Sequence, residues 1–509
     1  MRSKKVLLNV ISSLVLQIVV LICGFIVPKL IMTNFGSSVN GLVSSITQFL
    51  SYITLLEAGI GPVVLSTLYK PIAKKDKKSI ENILKSAEKF FRVISTIFVI
   101  YIVVLAVVYP NFVNSEFDYI YTVSLIVIIS ISIFVEYCFG MTYKLYLIAD
   151  QKNYIISLIQ IIGYVLNTII IVLLVKFGAG IHCVKLISGL VFVLRPVIQN
   201  IYVKRKYNIN LKNADKNYDL KQKWDGLAQH VAYVIHCNTD ITILTIFTHI
   251  SQVSVYAVYN LIVKGVNSLI QSFISGVSTA FGDMIAREEK QQLNRNFKIY
   301  ELIYYSITTI VYTCTILLIV PFVKIYTSGI NDANYNNPIF AYILVLSELT
   351  WAIRQPYNEL TKAAGNFKQT RKGAWIECIV NIVVSLVLVK QIGMVGVAIG
   401  TLVAMLIRTV EFIYHASKYI LERSIWISIK KALVIGVEVV VIIFIMQFIP
   451  DFKSLSYMAW ILKGIIVFSI STILVVAINV TIYIDDFKEG LNVLKNIIAK
   501  RNKLGRKAD

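Results

Sequence analysis

The 509-residue chain is divided into about fourteen apolar runs, each close to the roughly 20 residues a helix needs to cross the ~30 Å hydrocarbon core of a bilayer. They lie near residues 6–31, 41–68, 90–109, 119–139, 154–175, 181–202, 227–248, 256–280, 299–323, 339–353, 373–389, 393–416, 427–449 and 457–484. Every backbone N–H and C=O in lipid must be satisfied internally, so such a chain is confined to an all-α polytopic membrane protein. Only 15% of its residues are charged and its mean hydropathy is +0.72, whereas a soluble domain carries roughly a quarter charged residues.

In a soluble protein the formal net charge of +22 would point to nucleic acid. Here about forty of the 50 basic residues fall in alternate loops, at 2–5, 70–92, 144–152, 204–223, 287–298, 354–372, 418–431 and 488–507. The loops between them, such as 33–40, 111–118 and 249–254, carry almost none. Positive charge on one side therefore accounts for the balance, places both termini in the cytoplasm and leaves no role for nucleic acid. The first run is too long for a signal peptide and no A-x-A site follows, so it reads as a retained span. The six cysteines show no C-x-x-C spacing and imply neither disulfide nor metal.

The run 256–280 carries Asn260, Lys264, Asn267, Gln271 and Ser275 at i, i+4, i+7, i+11 and i+15, one face of a helix. A lysine in hydrocarbon costs at least ~2.5–3.5 kcal/mol, so this face is expected to line a polar cavity. Similar faces occur on the first span (Asn9, Ser13, Gln17), the second (Ser44, Gln48, Ser51) and the seventh (Asn238, Thr242, Thr245, His249). The competing reading is hydrogen bonding between packed helices. Lys264, Lys185 and Arg408 are candidates to meet an anionic head group, and Asp240, Glu57 and Glu377 to carry a coupling cation, H+ or Na+. For these the competing reading is buried ion pairs, or snorkelling near helix ends.

His230, His236 and Asp240 fall on neighbouring turns, but no fourth ligand follows, so no metal is expected. There is no P-loop, no G-x-S-x-G and no dinucleotide fingerprint. Neither a catalytic residue nor a cofactor is expected, and the chain reads as a non-enzyme. Residues 76–92, 283–298 and 486–504 alternate apolar and basic residues at helical spacing, which predicts amphipathic helices lying on the inner leaflet.

The halves repeat at an offset of about 214 residues: Tyr143 and Ala149 return as Tyr357 and Ala363, Asn167 as Asn381, Lys176 as Lys390, and Arg195 as Arg408. The expected organisation is a six-helix lobe (1–203), a basic linker (204–225), a second six-helix lobe (226–420), two further helices (421–485) and a basic tail (486–509). Six spans per lobe make the repeat parallel, with the cavity between pseudo-symmetric lobes.

Pro28-Lys-Leu-Ile-Met-Thr-Asn-Phe-Gly36, Asn40-Gly-Leu and Tyr52-Ile-Thr-Leu-Leu-Glu-Ala-Gly59-Ile-Gly61, followed by a basic loop, resemble the opening of bacterial polysaccharide (Wzx-type) flippases. These belong to the multidrug/oligosaccharidyl-lipid/polysaccharide (MOP) exporter superfamily. The resemblance continues through Asp240, Val255-Tyr256, Ala364-Gly-Asn and Ile392-Gly-Met-Val-Gly396. It implies a MATE-like fold in which the first, second, seventh and eighth spans line a cationic cavity, in the plasma membrane of a bacterium. The implied substrate is an oligosaccharide linked by pyrophosphate to undecaprenol, turned from the inner to the outer leaflet, with membrane lipids and polysaccharide-assembly enzymes as partners. Alternatives are a cation-coupled multidrug exporter of the same superfamily and a membrane polysaccharide polymerase or ligase.

Overall fold

The computed structural model describes residues 2–57, 60–113, 116–211, 214, 227–274, 277–449 and 456–490, and among these the chain is helical without a strand. The first part comprises α1 (Arg2–Phe35), α2 (Ser37–Ser51), α3 (Thr54–Glu57), α4 (Ile60–Lys74), α5 (Lys77–Val108), α6 (Pro110–Val113), α7 (Tyr119–Val135), α8 (Met141–Ala149), α9 (Asn153–Lys176) and α10 (Ile181–Tyr207). A π-helical turn, Glu136–Gly140, joins α7 to α8. The second part comprises α11 (Leu227–Phe247), α12 (Ile250–Ile274), α13 (Val277–Ala286), α14 (Lys290–Tyr326), α15 (Pro338–Ala363), α16 (Phe367–Ile392), α17 (Met394–Tyr419), α18 (Ile425–Met446) and α19 (Tyr457–Ile482).

Eleven helical stretches among the described residues are long and apolar enough to cross a membrane. Helices α11, α15 and α18 stand at the remaining three positions expected from the sequence. Only 6% of the most apolar window of α1, and 22% of that of α19, is covered by protein. Side chains such as Ile18, Ile22, Ile465 and Phe468 are left exposed, which is stable in lipid and not in water. The chain is an all-α, multi-pass membrane protein.

The repeat is legible in where helices begin. Ser37, Lys77, Asn153 and Ile181 open α2, α5, α9 and α10, and Ile250, Lys290, Phe367 and Met394 open α12, α14, α16 and α17, each about 213 residues later. Helices α16 and α17 pack at backbone distance because α17 presents Gly396 and Gly400 one turn apart. A Cβ on Gly400 would lie 2.1 Å from the Ser385 hydroxyl, and one on Gly396 2.6 Å from the Leu388 backbone. That approach lets Asn381 donate to Thr401 at 2.9 Å inside the protein.

The described chain forms two compact units, one of Met1–Leu261 with Gly329–Asn334, the other of Ile262–Ser328 with Tyr335–Asp509. Helix α11 and the first half of α12 thus belong with the first six spans. Three lightly charged loops and the 329–334 segment converge within the first unit. Asp332 accepts from the backbone N–H and hydroxyl of Ser37, each at 2.6 Å, and so caps α2. Glu116 accepts from the Ser38 hydroxyl at 2.9 Å and from the Ile250 N–H at 3.0 Å, capping α12.

Three expectations need correction. The second span, expected as one run over 41–68, is interrupted by a turn at Tyr52 and Ile53 between α2 and α3; the eighth, expected over 256–280, is helical on both sides of 275–276, which lie outside the described residues. The stretch 76–92 does not lie on the membrane. Asp76 caps it through the Ser79 N–H at 3.1 Å, and it runs unbroken into the third span as α5. Its apolar face, Ile80, Ile83, Leu84, Ala87 and Phe91, is buried against protein. Likewise 290–298 is the first part of α14, with Leu293 and Phe297 buried. At 32 and 37 residues, α5 and α14 reach ~48 and ~55 Å, well beyond the hydrocarbon. The basic periodicity marked their protruding ends. The tail beyond 490, and most of the linker 204–225, lie outside the described residues.

Candidate functional site

The polar faces of the second and seventh spans meet. Asn40 donates to Ser254 at 2.7 Å and the Ser45 and Thr245 hydroxyls hydrogen-bond each other at 2.6 Å, both pairs buried. One turn further along α2, Gln48 hydrogen-bonds Asn238, and the Tyr52 hydroxyl reaches the Asn238 carbonyl at 3.2 Å and Thr242 at 2.8 Å. The helices come this close because residue 41 is glycine: a Cβ there would sit 2.0 Å from the Ile250 carbonyl oxygen. Ser44 stands beside this seam, half-buried and without a hydrogen bond among the described residues.

On α12 the expected stripe is a continuous helical face through Gln271, and Ser275 lies outside the described residues. Lys264 and Gln271 are exposed and Asn260 half-buried. Lys264 has no ion-pair partner among the described residues. Asn267 is tied down: it donates to Glu348 at 2.7 Å and accepts from Tyr312 at 2.6 Å. On the first span Gln17 is half-buried and free of hydrogen bonds among the described residues. Asn9 instead holds α9, donating to the Gln151 carbonyl at 3.1 Å and accepting from the Tyr154 N–H at 2.9 Å.

The ionisable candidates separate into three situations. Arg408 and Glu377 neutralise each other in a buried cluster. Arg354 reaches Glu377 at 2.5 Å, Arg408 reaches it at 3.5 Å, and Arg408 also binds Glu411 and the Thr370 carbonyl. Asp240 is 8% exposed and accepts from the Tyr256 hydroxyl at 2.9 Å. Lys185 is half-buried on α10 without an ion pair among the described residues. The side chains of His230 and His236 lie outside the described residues, and no His/Cys/Asp/Glu group suited to a metal occurs among those described.

Glu57, the last residue of α3, borders a cavity of about 270 Å³ in the first unit. Tyr137 donates to Glu57 at 2.7 Å. Across the cavity Glu136 accepts from Lys144 at 3.2 Å and faces Arg195 at 3.9 Å. Arg195 lies over the ring of Phe192, 4.3 Å from its centroid. The π turn makes this possible: one extra residue per turn swings Glu136 and Tyr137 toward Glu57 of α3. Periodicity in the sequence marks neither Lys144 nor Tyr137, because a π turn has no distinct residue pattern.

No protein-family model and no curated protein matches the chain. Solved structures do. The chain is similar to one described as the lipid II flippase MurJ in an inward closed conformation, with a TM-score of 0.71 and 17% identity over 93% of this chain and 99% of that one. It is similar to a multidrug resistance MATE family transporter of the MOP superfamily in an inward-facing conformation, at 0.63 and 12% over 82% and 99% of the two chains. A third is a MATE protein in a bent conformation, at 0.55 and 14% over 84% and 96%. The chain has the MurJ and MATE fold.

Identities this low fix the fold and leave the cargo open. The fold agrees with the superfamily resemblance read from the sequence, while the narrower Wzx-type assignment rests on the motifs alone.

Proposed function

We propose that this protein is an alternating-access flippase that moves an undecaprenyl-pyrophosphate-linked oligosaccharide from the inner to the outer leaflet of a bacterial plasma membrane. The observation that carries this reading is the likeness to the lipid II flippase MurJ over 93% of the chain. A polar head group cannot cross hydrocarbon unaided. A path lined by Gln17, Ser44, Gln48, Asn238, Asn260 and Gln271 would replace its water, and Lys264, with Lys185, would meet the pyrophosphate. Asp240 and the Glu57 cavity are the sites for a coupling H+ or Na+. Arg408 and Glu377, already paired, are assigned to holding the second unit together.

Deleting the gene in its host should trap lipid-linked repeat units on the cytoplasmic leaflet, and restoring it should release them. Normal surface polysaccharide in the deletion strain, with no paralogue present, would rule the reading out. The likeness to MATE transporters over 82% and 84% of the chain favours a second reading, cation-coupled export of small molecules. Unchanged drug sensitivity on deletion would dispose of it.

A further inference from the structure

We propose that Glu438 of α18, with Asn479 of α19 and Ser306 and Thr309 of α14, forms a binding site for a small positive ion, a proton or a bare monovalent cation, inside the C-terminal helix pair. Glu438 is 1% exposed. One carboxylate oxygen accepts from the Asn479 amide at 2.8 Å, and that amide also reaches the Ser306 hydroxyl at 3.4 Å and the Val475 carbonyl at 3.0 Å. Thr309 also lies within hydrogen-bonding reach of the carboxyl group.

Ser306 donates to the Leu302 carbonyl at 2.9 Å and Thr309 to the Tyr305 carbonyl at 2.9 Å. Among the described residues the donors that reach the carboxyl group are neutral, the Asn479 amide and the Thr309 hydroxyl. A buried carboxylate met by neutral donors alone keeps an uncompensated charge unless a positive ion joins it.

No side chain among the described residues supplies it. Lys431 on the same helix is seven residues away, ~10 Å along the axis, and is held by Glu301 at 2.9 Å and Asp486 at 3.9 Å. Lys463 on α19 is sixteen residues from Asn479, ~24 Å along that helix. Of the other cations on the packed helices, Lys298 of α14 is eight residues from Ser306, ~12 Å, and pairs with Asp486 at 2.5 Å, and Lys430 of α18 is eight residues from Glu438, ~12 Å, and exposed; Lys290, Arg295 and Lys324 lie further along α14. On one side of the cluster the seam is closed by Ile442, Met446, Val467 and Val475, and on the other lie the polar groups Lys431, Glu301 and Asp486.

The test uses full-length protein in lipid nanodiscs, wild type against Glu438→Gln, which keeps the shape and removes the demand for charge. A proton occupant gives an infrared band of a protonated carboxyl that is lost in the variant and unaffected when sodium replaces N-methylglucamine. A sodium occupant gives melting that rises with sodium in the wild type alone. Identical carboxyl infrared spectra together with identical sodium responses would overturn the proposal. If Glu438→Gln fails to fold, Asn479→Ala keeps the carboxyl and should shift whichever signal the wild type gives. A wild type showing neither signal overturns it equally.

Discussion

Glu301 offers the sharpest test of how the C-terminal pair is held. It is fully buried on α14 and accepts from Arg423 at 2.9 Å, from Lys431 at 2.9 Å and from the Tyr357 hydroxyl. Arg423 precedes α18 and Lys431 lies on it, so this one carboxylate fastens the pair to the rest of its unit. Glu301→Gln leaves two buried cations short of an anion, and breaking a buried pair this way costs about 3–5 kcal/mol. Both cations have partial substitutes, Asp486 at 3.9 Å for Lys431 and Ser428 at 2.9 Å for Arg423. The lower end, about 3 kcal/mol, is therefore expected. For a unit of this size that is a fall of roughly 6–12 °C in melting temperature, read by tryptophan fluorescence on purified protein. Adding Lys431→Met removes one stranded cation and should recover part of the loss. A Glu301→Gln protein melting within about 2 °C of wild type, or a double variant worse than the sum of the singles, would refute the reasoning.

Lys264→Ala should reduce release of lipid-linked saccharide about tenfold while Lys264→Arg retains most of it, with melting unchanged in both, because the side chain is exposed and supports no other residue among those described. In Gly41→Ala the new methyl would meet the Ile250 carbonyl at 2.0 Å. It should cut transport severely and cost about 1–3 kcal/mol of overpacking, checked by vesicle assay and melting in parallel. Gly400→Ala meets Ser385 at 2.1 Å and should lower melting by a similar free energy. Burial works to raise the carboxyl of Asp150, but hydrogen bonds from Tyr207 at 2.6 Å and Lys152 at 2.9 Å, with Lys5 at 3.6 Å, hold it below the usual carboxylate range. The stabilisation from this depressed value is present above the unfolded value of about 3.9 and lost as pH falls through the folded one. Wild type should therefore lose melting temperature more steeply below pH ~4 than Asp150→Asn.

Much of the fold could be read because lipid leaves so few choices. Apolar length and the recurrence of Asn167 as Asn381 and Arg195 as Arg408 marked spans and the repeat. The turn at Tyr52 and Ile53 that divides the second span could not be read. Hydropathy registers burial in lipid and is blind to backbone direction, so a broken helix and a straight one of equal apolarity look alike. The protruding ends of α5 and α14 misled for a related reason. An apolar stripe opposite lysines looks the same whether lipid or a neighbouring helix covers it, and α4 and α8 cover this one. At the site, periodicity found Gln48 and Asn238 on the right faces. It could not show that they bond to each other, since partner choice between distant spans is a tertiary property. Arg408 and Glu377 were legible as ionisable and not as a pair.

The two kinds of polar contact divide along a functional line under the proposed cycle. Where α2 meets α11 and α12, the pairs are Asn40 with Ser254, Ser45 with Thr245 and Gln48 with Asn238, all neutral. Such bonds between membrane helices average ~0.6 kcal/mol each, so three of them hold the contact by about 2 kcal/mol. A gate needs this scale, because shifting a two-state equilibrium from 1:99 to 99:1 takes about 5.5 kcal/mol of ligand binding, and a stronger latch would leave little for the cargo to overcome. The buried charges are elsewhere, at Glu301 with Arg423 and Lys431 and at Glu377 with Arg354 and Arg408, where parting would cost several kcal/mol per pair. Contacts of that strength suit joints that stay shut. Replacing the neutral latch with a charged one, Ser45→Asp with Thr245→Lys, should therefore arrest transport without unfolding the protein, and continued transport at the wild-type rate would show that α2 and α11 do not part.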